Sequence, residues 1–405
     1  MLRSQSMDTK PPLGRSLSPV PNQFRRPVIN APEIVMNNSV YLISFKLWEA
    51  ATGEKIFSDD SFAPKVDTPL IPDNNFVSPQ QQQQRSYVMQ ARDPMKSRSL
   101  QKKMTECSKQ ELDVIFNSLY PSLNELVFDQ SANFVIQKLC ETATEEQQQK
   151  FLKFFLSDLN NIVDHSIACR VLQRFIETTQ TENIEKLFNA LKPNLMSLCL
   201  SQNGNHIVQR FVISLPSKLN VIIDAILPSV VPLAIDNCGC RIVQRLFDQY
   251  KIEQLESIVA EVMRNAVELA TNQYGNYVVQ YILASNKHEH ISNLLKAFKG
   301  RFYQFSLHKF ASNVIEKCIR GASEEERMEI FPEIIGSAPD FNASRISTMV
   351  EDQFGNYVIQ RIIEFGTEEQ QTAIYNVVFD NYQKLEGIQY SKHVLLKLQH
   401  LGYKF

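Results

Sequence analysis

Neither sign of charge is in excess in this chain: 42 Lys and Arg stand against 44 Asp and Glu, a net charge of −2 over 405 residues. That excludes a polybasic protein holding nucleic acid by bulk attraction, so any such binding has to come from a local surface. Zinc spacing is missing as well. The seven cysteines (Cys107, Cys140, Cys169, Cys199, Cys238, Cys240, Cys318) include no Cys-x-x-Cys, and Cys238-x-Cys240 has no companion ligands. Free thiols in a reducing compartment follow, with no metal and no cofactor expected. No apolar run is long enough for a bilayer and no secretory leader pattern is present, so no membrane association and a soluble, cytoplasmic protein are expected. The seven histidines include no HExxH, and neither a nucleophile elbow nor a phosphate loop occurs, so the sequence does not read as an enzyme.

What is present divides the chain in two. Residues 1–84 hold Pro11, Pro12, Pro19, Pro21, Pro27, Pro32, Pro64, Pro69, Pro72 and Pro79, more than half of the 18 prolines, and end in the tract Gln80–Gln84. Proline at that density prevents long helices and a glutamine tract has nothing apolar to bury, so this segment is expected to be largely disordered. One piece resists that reading: Val40–Phe57, with the only tryptophan at Trp48, alternates like a strand or a short docking element.

From residue 85 onward one pattern returns eight times. Its copies are Ser97/Gln101, Asn133/Gln137, Cys169/Gln173, Asn205/Gln209, Cys240/Gln244, Asn276/Gln280, Ser312/Glu316 and Asn356/Gln360, stepped by 36, 36, 36, 35, 36, 36 and 44 residues. Such a period means stacked helical units, each needing its neighbours to bury its apolar face. Four residues ahead of each pair stands Asp93, Asp129, His165, Ser201, Asp236, Asn272, His308 or Asp352, mostly good N-caps, which places the pair in the second turn of a helix. A small residue precedes most pairs, and an aliphatic couple such as Val135-Ile136 separates the members and points to the core. Further helices open with Thr144-Glu145-Glu146, Ser323-Glu324-Glu325 and Thr367-Glu368-Glu369, a hydroxyl cap with acids on the helix dipole. The fold class is all-α, a solenoid from residue 85 to 405.

Core positions must repeat in any solenoid, but packing does not require a repeated polar pair. Residues i and i+4 share a helix face, so each pair projects together, flanked by the residue between: Arg98, Phe134, Arg170, His206, Arg241, Tyr277, Asn313 and Tyr357. The next residue after each pair gives a second row, Lys102, Lys138, Arg174, Arg210, Arg245, Tyr281, Lys317 and Arg361, seven of eight basic. Flat side chains stack on nucleobases at roughly 1–3 kcal/mol each. Asn with Gln matches the O4 and N3–H of uracil, Glu accepts the two donors of guanine, and a small Cys or Ser with Gln leaves room for adenine. The competing reading is a helical-repeat scaffold that binds only proteins, with the amides and the basic row as solvated surface. A guanine preference imposed by the Ser312/Glu316 unit separates the two.

These residues resemble the Pumilio (PUF) family of RNA-binding proteins, over about residues 85–405, with the nematode branch as one candidate subgroup. Reading one base per helical repeat is a known property of PUF repeats. The resemblance implies a right-handed superhelical solenoid of eight three-helix repeats, with Lys392-His393…Leu396 as a C-terminal pseudo-repeat. RNA would run antiparallel, so Asn356/Gln360 reads U, Ser312/Glu316 G, Asn276/Gln280 U, Cys240/Gln244 A, Asn205/Gln209 U, Cys169/Gln173 A, Asn133/Gln137 U and Ser97/Gln101 A. The implied element is UGUAUAUA in single-stranded messenger 3′ untranslated regions, bound by a monomer. Repression would follow from deadenylase or translational-repressor partners on the convex face and on the loop 336–345, where an exposed Phe341 is the expected anchor. Repeat 1 departs from the pattern at Pro94 and Ser99.

Overall fold

A computed structural model describes residues 79–405; Val40–Phe57 and most of the segment expected to be disordered lie outside them. Helix begins at Pro79, ahead of the expected boundary at 85, so the glutamine tract sits inside a helix, Pro79–Arg92. Glutamine has no apolar surface to bury but an adequate helix propensity. The tract is carried by Ala91, fully buried, with Tyr87 and Val88 packed on the core below it.

Each unit contributes a short first helix, a middle helix bearing the pair, and a third helix. In repeat 3 these are Leu159–Asp164, Ala168–Thr178 and Thr181–Leu191. Middle helices pack against the middle helices before and after them, and among the described residues no strand forms. The last helix, Ser391–His400, stacks on that of repeat 8 as the ninth unit. Val135, Ile136, Val171, Leu172, Val208, Val243 and their counterparts in repeats 2 to 8 are fully buried. At about 1.5–3 kcal/mol per aliphatic side chain, this couple is the main local reason that the middle helix lies as it does. Pro216–Ala234 has the length and apolarity of a membrane span by composition, contrary to the sequence reading. It is broken at Leu227–Ser229, and Leu219, Ile222, Ile226, Val230 and Leu233 go into the solenoid core.

The capping residues behave differently from the expectation in one respect. Middle helices of repeats 2 to 8 start just before the pair, so Asn133 is the second residue of Ala132–Thr142, in the first turn rather than the second. The cap instead organises the preceding turn: Asp129 Oδ1 accepts from the N–H groups of Ser131 and Ala132 at 2.9 and 2.8 Å. Asp236, Asn272 and Asp352 repeat this, and Ser201 Oγ accepts from Gly204 N–H. His165 and His308, which look wrong for the position, do the same through Nδ1, accepting from Ile167 and Ala168 and from Phe310 and Ala311. Repeat 1 alone has Asp93 directly at the N-cap with Pro94 as first helical residue, where a missing N–H costs nothing.

The small residue ahead of the pair serves packing inside the repeat. A Cβ on Gly239 would stand 2.7 Å from Leu233 O and 2.9 Å from Leu233 Cα, on the repeat's own first helix. Thr144, Ser323 and Thr367 form full capping boxes with Gln147, Glu326 and Gln370, as their sequence suggests. The inserted loop before repeat 8 corrects the reading of Phe341. Asn342 N–H donates to Ile335 O at 2.8 Å, with Gly336 at φ 84° beginning the turn. That closure folds Phe341 back, half-buried against the core, so the exposed loop residues are Ser337–Asp340 and Asn342–Ser344.

Candidate nucleic-acid interface

The first member of every pair is buried: Ser97, Asn133, Cys169, Asn205, Cys240, Asn276, Ser312 and Asn356 are 4% exposed or less. A buried amide has to be paired. Asn133 Nδ2 donates to Asp129 O and Gln130 O at 2.9 and 2.8 Å; Asn205 and Asn276 do likewise with Ser201 and Gln202, and with Asn272 and Gln273. Asn356 Nδ2 donates to Asp352 O at 2.9 Å. The carbonyl contacts settle the amide orientation, because the flipped side chain would set oxygen against oxygen. Oδ1 therefore points outward, and it accepts Nε2 of the second member: Gln137, Gln209 and Gln280 at 2.9, 2.9 and 2.8 Å, Gln360 at 3.2 Å. The sequence reading leaves open which member of the pair donates. In repeats 2, 4 and 6 the Asn donors are spent, and the pair presents Asn Oδ1 together with the remaining hydrogen of Gln; in repeat 8 Gln360 Nε2 also donates to Asn356 O at 3.0 Å.

The cysteine pairs are a weaker version of the same arrangement. Cys169 and Cys240 point their thiols at Ser166 O and Asn237 O, at 3.5 and 3.7 Å. Gln173 Nε2 still reaches Cys169 Sγ, at 3.7 Å. Gln244 differs from Gln173. It is half-buried on the same face as Cys240 but forms no hydrogen bond with it. A thiol sulfur is a weak acceptor for an amide N–H, without the outward carbonyl of asparagine, so it holds Gln173 only loosely and Gln244 not at all. Burial raises both thiol pKa values, Cys240 to about 11, so they are neutral sulfur surfaces rather than reactive thiolates. In repeat 1 Gln101 reaches only Ser97 O, at 3.3 Å, and Ser97 Oγ donates to Pro94 O.

Around these pairs the flat residues stay in solvent. Phe134 is 46% and Tyr277 54% exposed beside fully buried Val135 and Val278. Arg98 and Arg170 are exposed, while His206, Arg241, Asn313 and Tyr357 are half-buried. Burial holds the His206 pKa down at about 4, with Arg241, Arg210 and Arg170 adding to the effect. Its ring is neutral through the physiological range, a flat surface rather than a charge.

The second row needs a larger correction. Its cations are not a bare positive line, because an acid three residues on neutralises many of them: Lys138–Glu141 2.8 Å, Arg174–Glu177 2.7 Å, Arg245–Asp248 3.3 Å, and Arg361 with Glu364. The same acids tie neighbouring repeats together. Arg174 reaches Glu141 at 3.5 Å, Arg210 reaches Glu177 at 2.7 Å, and Lys397 of the ninth unit reaches Glu364 at 3.4 Å. Tyr281 takes the cation's place in repeat 6 and hydrogen-bonds Asp248. The acids recur in the sequence eight residues after the first pair member, so the ladder is legible there once both signs are counted. Lys392, His393 and Leu396 of the ninth unit are exposed beside repeat 8.

The comparisons with known proteins fall on this same region. A family model described as a Pumilio-family RNA binding repeat matches residues 97–119, 123–153, 165–192, 194–227, 229–263, 265–297, 301–335 and 345–379. Pumilio homolog 12 of Arabidopsis thaliana is 29% identical over 313 residues, 76% of this chain and 52% of the relative. Pumilio homolog 11 of the same plant is 31% identical over 317 residues, 77% of this chain and 55% of the relative. The chain thus spans about half the length of these curated relatives. Among solved structures, the fold is similar to PUF-8 in complex with PBE-RNA, with a TM-score of 0.68 at 27% identity over 79% of this chain and 94% of that one. It is equally similar to the Puf3 RNA binding domain bound to the Cox17 RNA 3′ UTR recognition sequence site B. There the TM-score is 0.69 at 27% identity, covering 79% of this chain and all of the other. The helical solenoid is the fold they share.

Proposed function

We propose, from the premise that this chain belongs to the Pumilio (PUF) family of RNA-binding repeat proteins, that it binds single-stranded RNA sequence-specifically, one base per middle helix, at elements close to UGUAUAUA. It is a binding protein and not an enzyme. The observation that carries the reading is the constraint on the pairs: three buried asparagines with both Nδ2 hydrogens spent and a fourth, Asn356, with one, each meeting a Gln amide through Oδ1. At a uracil, N3–H donates to Asn Oδ1 and the free Gln Nε2 hydrogen meets a carbonyl oxygen. A wrong base leaves one of those groups unpaired, at about 1–3 kcal/mol. Stacking on Tyr357, Asn313, Tyr277, Arg241, His206, Arg170, Phe134 and Arg98 adds affinity without selectivity.

Fluorescence anisotropy with labelled UGUAUAUA tests this against simple polyanion attraction. Because the second row is internally neutralised, the slope of log Kd against log salt should stay below about 3, the value for roughly four neutralised phosphates. Between about pH 5.5 and pH 8 the affinity should hold steady, since His206 titrates well below that window. Equal, steeply salt-dependent binding to any RNA would reject the reading.

Control of messenger RNA through 3′ untranslated regions, with deadenylase or repressor partners on the convex face and the loop 336–345, belongs to the same proposal. With Phe341 folded back, the loop offers Ser337–Asp340 to a partner. Deleting 337–344 should abolish capture of such a factor while leaving RNA affinity unchanged; retained capture removes the loop from the proposal.

A further inference from the structure

The four second-row arginines do not all join the ladder, and the difference follows a rule. Arg174 and Arg210 face a preceding repeat that carries a glutamate at the ladder position, Glu141 and Glu177, and each pairs with it. Arg245 and Arg361 face preceding repeats that carry Ile213 and Arg320 there instead. Deprived of an acid, both turn to the second pair member of that repeat. Arg245 Nη2 lies 3.5 Å from Gln209 Oε1, and Arg361 Nε lies 3.4 Å from Glu316 Oε1.

The second contact falls at the one unit whose pair ends in a carboxylate. The Glu316 and Arg361 side chains are only 19% and 13% exposed, so their attraction is screened far less than that of a surface pair. Arg361 Nε is buried without a hydrogen-bond partner, which makes the contact an ion pair of charge rather than an aligned bond. Arg320 Nη2 stands on the same oxygen at 3.7 Å. Ser312 Oγ, the other member of this pair, is fully buried and has no partner either. Repeat 7 therefore holds a carboxylate whose Oε1 faces two guanidinium groups, beside a buried hydroxyl without a hydrogen-bond partner.

We propose that Arg361 of repeat 8 is a specificity-determining positioning residue for the base read by repeat 7. It holds Glu316 through Oε1, so that the carboxylate is presented as a fixed two-oxygen acceptor. Its charge also offsets the cost of bringing a phosphodiester chain beside a carboxylate. Arg245 plays the same part for Gln209, fixing which end of that amide faces the base. The inference rests on the base-reading function proposed above.

Its test is a set of anisotropy titrations with UGUAUAUA and UAUAUAUA RNA, which differ at the second base. The unmodified protein has to prefer the guanine RNA; if it shows no preference, the base-reading function itself is wrong. Given that preference, Arg361→Met should cut the guanine-to-adenine ratio by roughly tenfold. Arg361→Lys, which keeps the charge but loses the planar fork, should recover part of it. Glu364→Gln removes the other partner of Arg361 and should leave the ratio intact. In the parallel case, Ile213→Glu supplies the missing ladder acid and should draw Arg245 off Gln209. It should raise or hold the thermal midpoint while lowering discrimination at the fifth base. A uniform loss of affinity for both RNAs in Arg361→Met, with an unchanged ratio, would show a purely structural role and overturn the proposal. Equal loss of the ratio in Glu364→Gln would overturn it as well.

Discussion

Changing the first UGU of UGUAUAUA to ACA is expected to weaken binding by about a thousandfold, within the range of about 150-fold upward that three mismatched bases at roughly 1–3 kcal/mol each allow. Three consecutive units meet the change: Asn356/Gln360, Ser312/Glu316 and Asn276/Gln280. The first and third hold an outward Oδ1 that expects an N–H donor. Adenine presents its unprotonated N1 there, so oxygen faces a lone pair in a half-buried site. In the middle unit a carboxylate that suits the two donors of guanine meets cytosine, whose N3 is an acceptor. Glu316→Gln isolates that unit. An amide offers one oxygen and one donor, so the mutant should lose most of its guanine preference while the uracils on either side are read as before. Anisotropy titration of both proteins against both RNAs measures this. A thousandfold effect that Glu316→Gln leaves untouched would mean that the guanine is chosen elsewhere.

The largest expected effect on stability is at Phe175→Ala, on the middle helix of repeat 3. Its ring is fully buried, 5.0 Å from the Phe155 ring and 5.9 Å from the Phe151 ring, and links the third helix of repeat 2 to repeat 3. Emptying that site should cost about 3–5 kcal/mol. In a repeat array each unit touches mainly its neighbours, so the loss should not spread evenly. Hydrogen exchange read by mass spectrometry should show faster exchange in repeats 2 and 3 and near-normal protection in repeats 6 to 8. A uniform change along the whole solenoid would contradict the nearest-neighbour picture, and an unchanged repeat 3 would contradict the cavity argument.

Much of this organisation is legible in the residues themselves, and for a physical reason. A solenoid repeats its core, so an aliphatic couple at constant spacing identifies the middle helix, and a polar pair with the same spacing identifies its exposed edge. Tyr277 and Phe134 become informative through register, since a lone aromatic is as readily a core residue. The misses have causes too. The cap position fixes the turn that leads into the helix, whose first residue comes three places later, which puts the pair in the first turn. Register places Gln244 beside Cys240, but spacing carries no information on whether the nearer residue can accept a hydrogen bond well. Phe341 lies in a polar loop whose fate depends on a backbone bond between Ile335 and Asn342, and local composition says nothing of that. The basic row misleads because charge tallied by position omits its partners. Glu141, Glu177, Asp248 and Glu364 cancel much of it and convert it into a set of bolts between repeats.

Those bolts bear on how the array can be cut and rejoined. Arg174 and Arg210 are each answered by an acid in the repeat before, so there the electrostatic unit straddles the boundary of the structural one. Exchanging a single repeat to alter a recognised base would bring a foreign acid beneath the next arginine, or remove the native one. A graft that moves Glu177 away from Arg210 would leave that guanidinium to seek Gln173, and so would disturb a base it was never meant to change. A transferable module therefore runs from the middle of one repeat to the middle of the next.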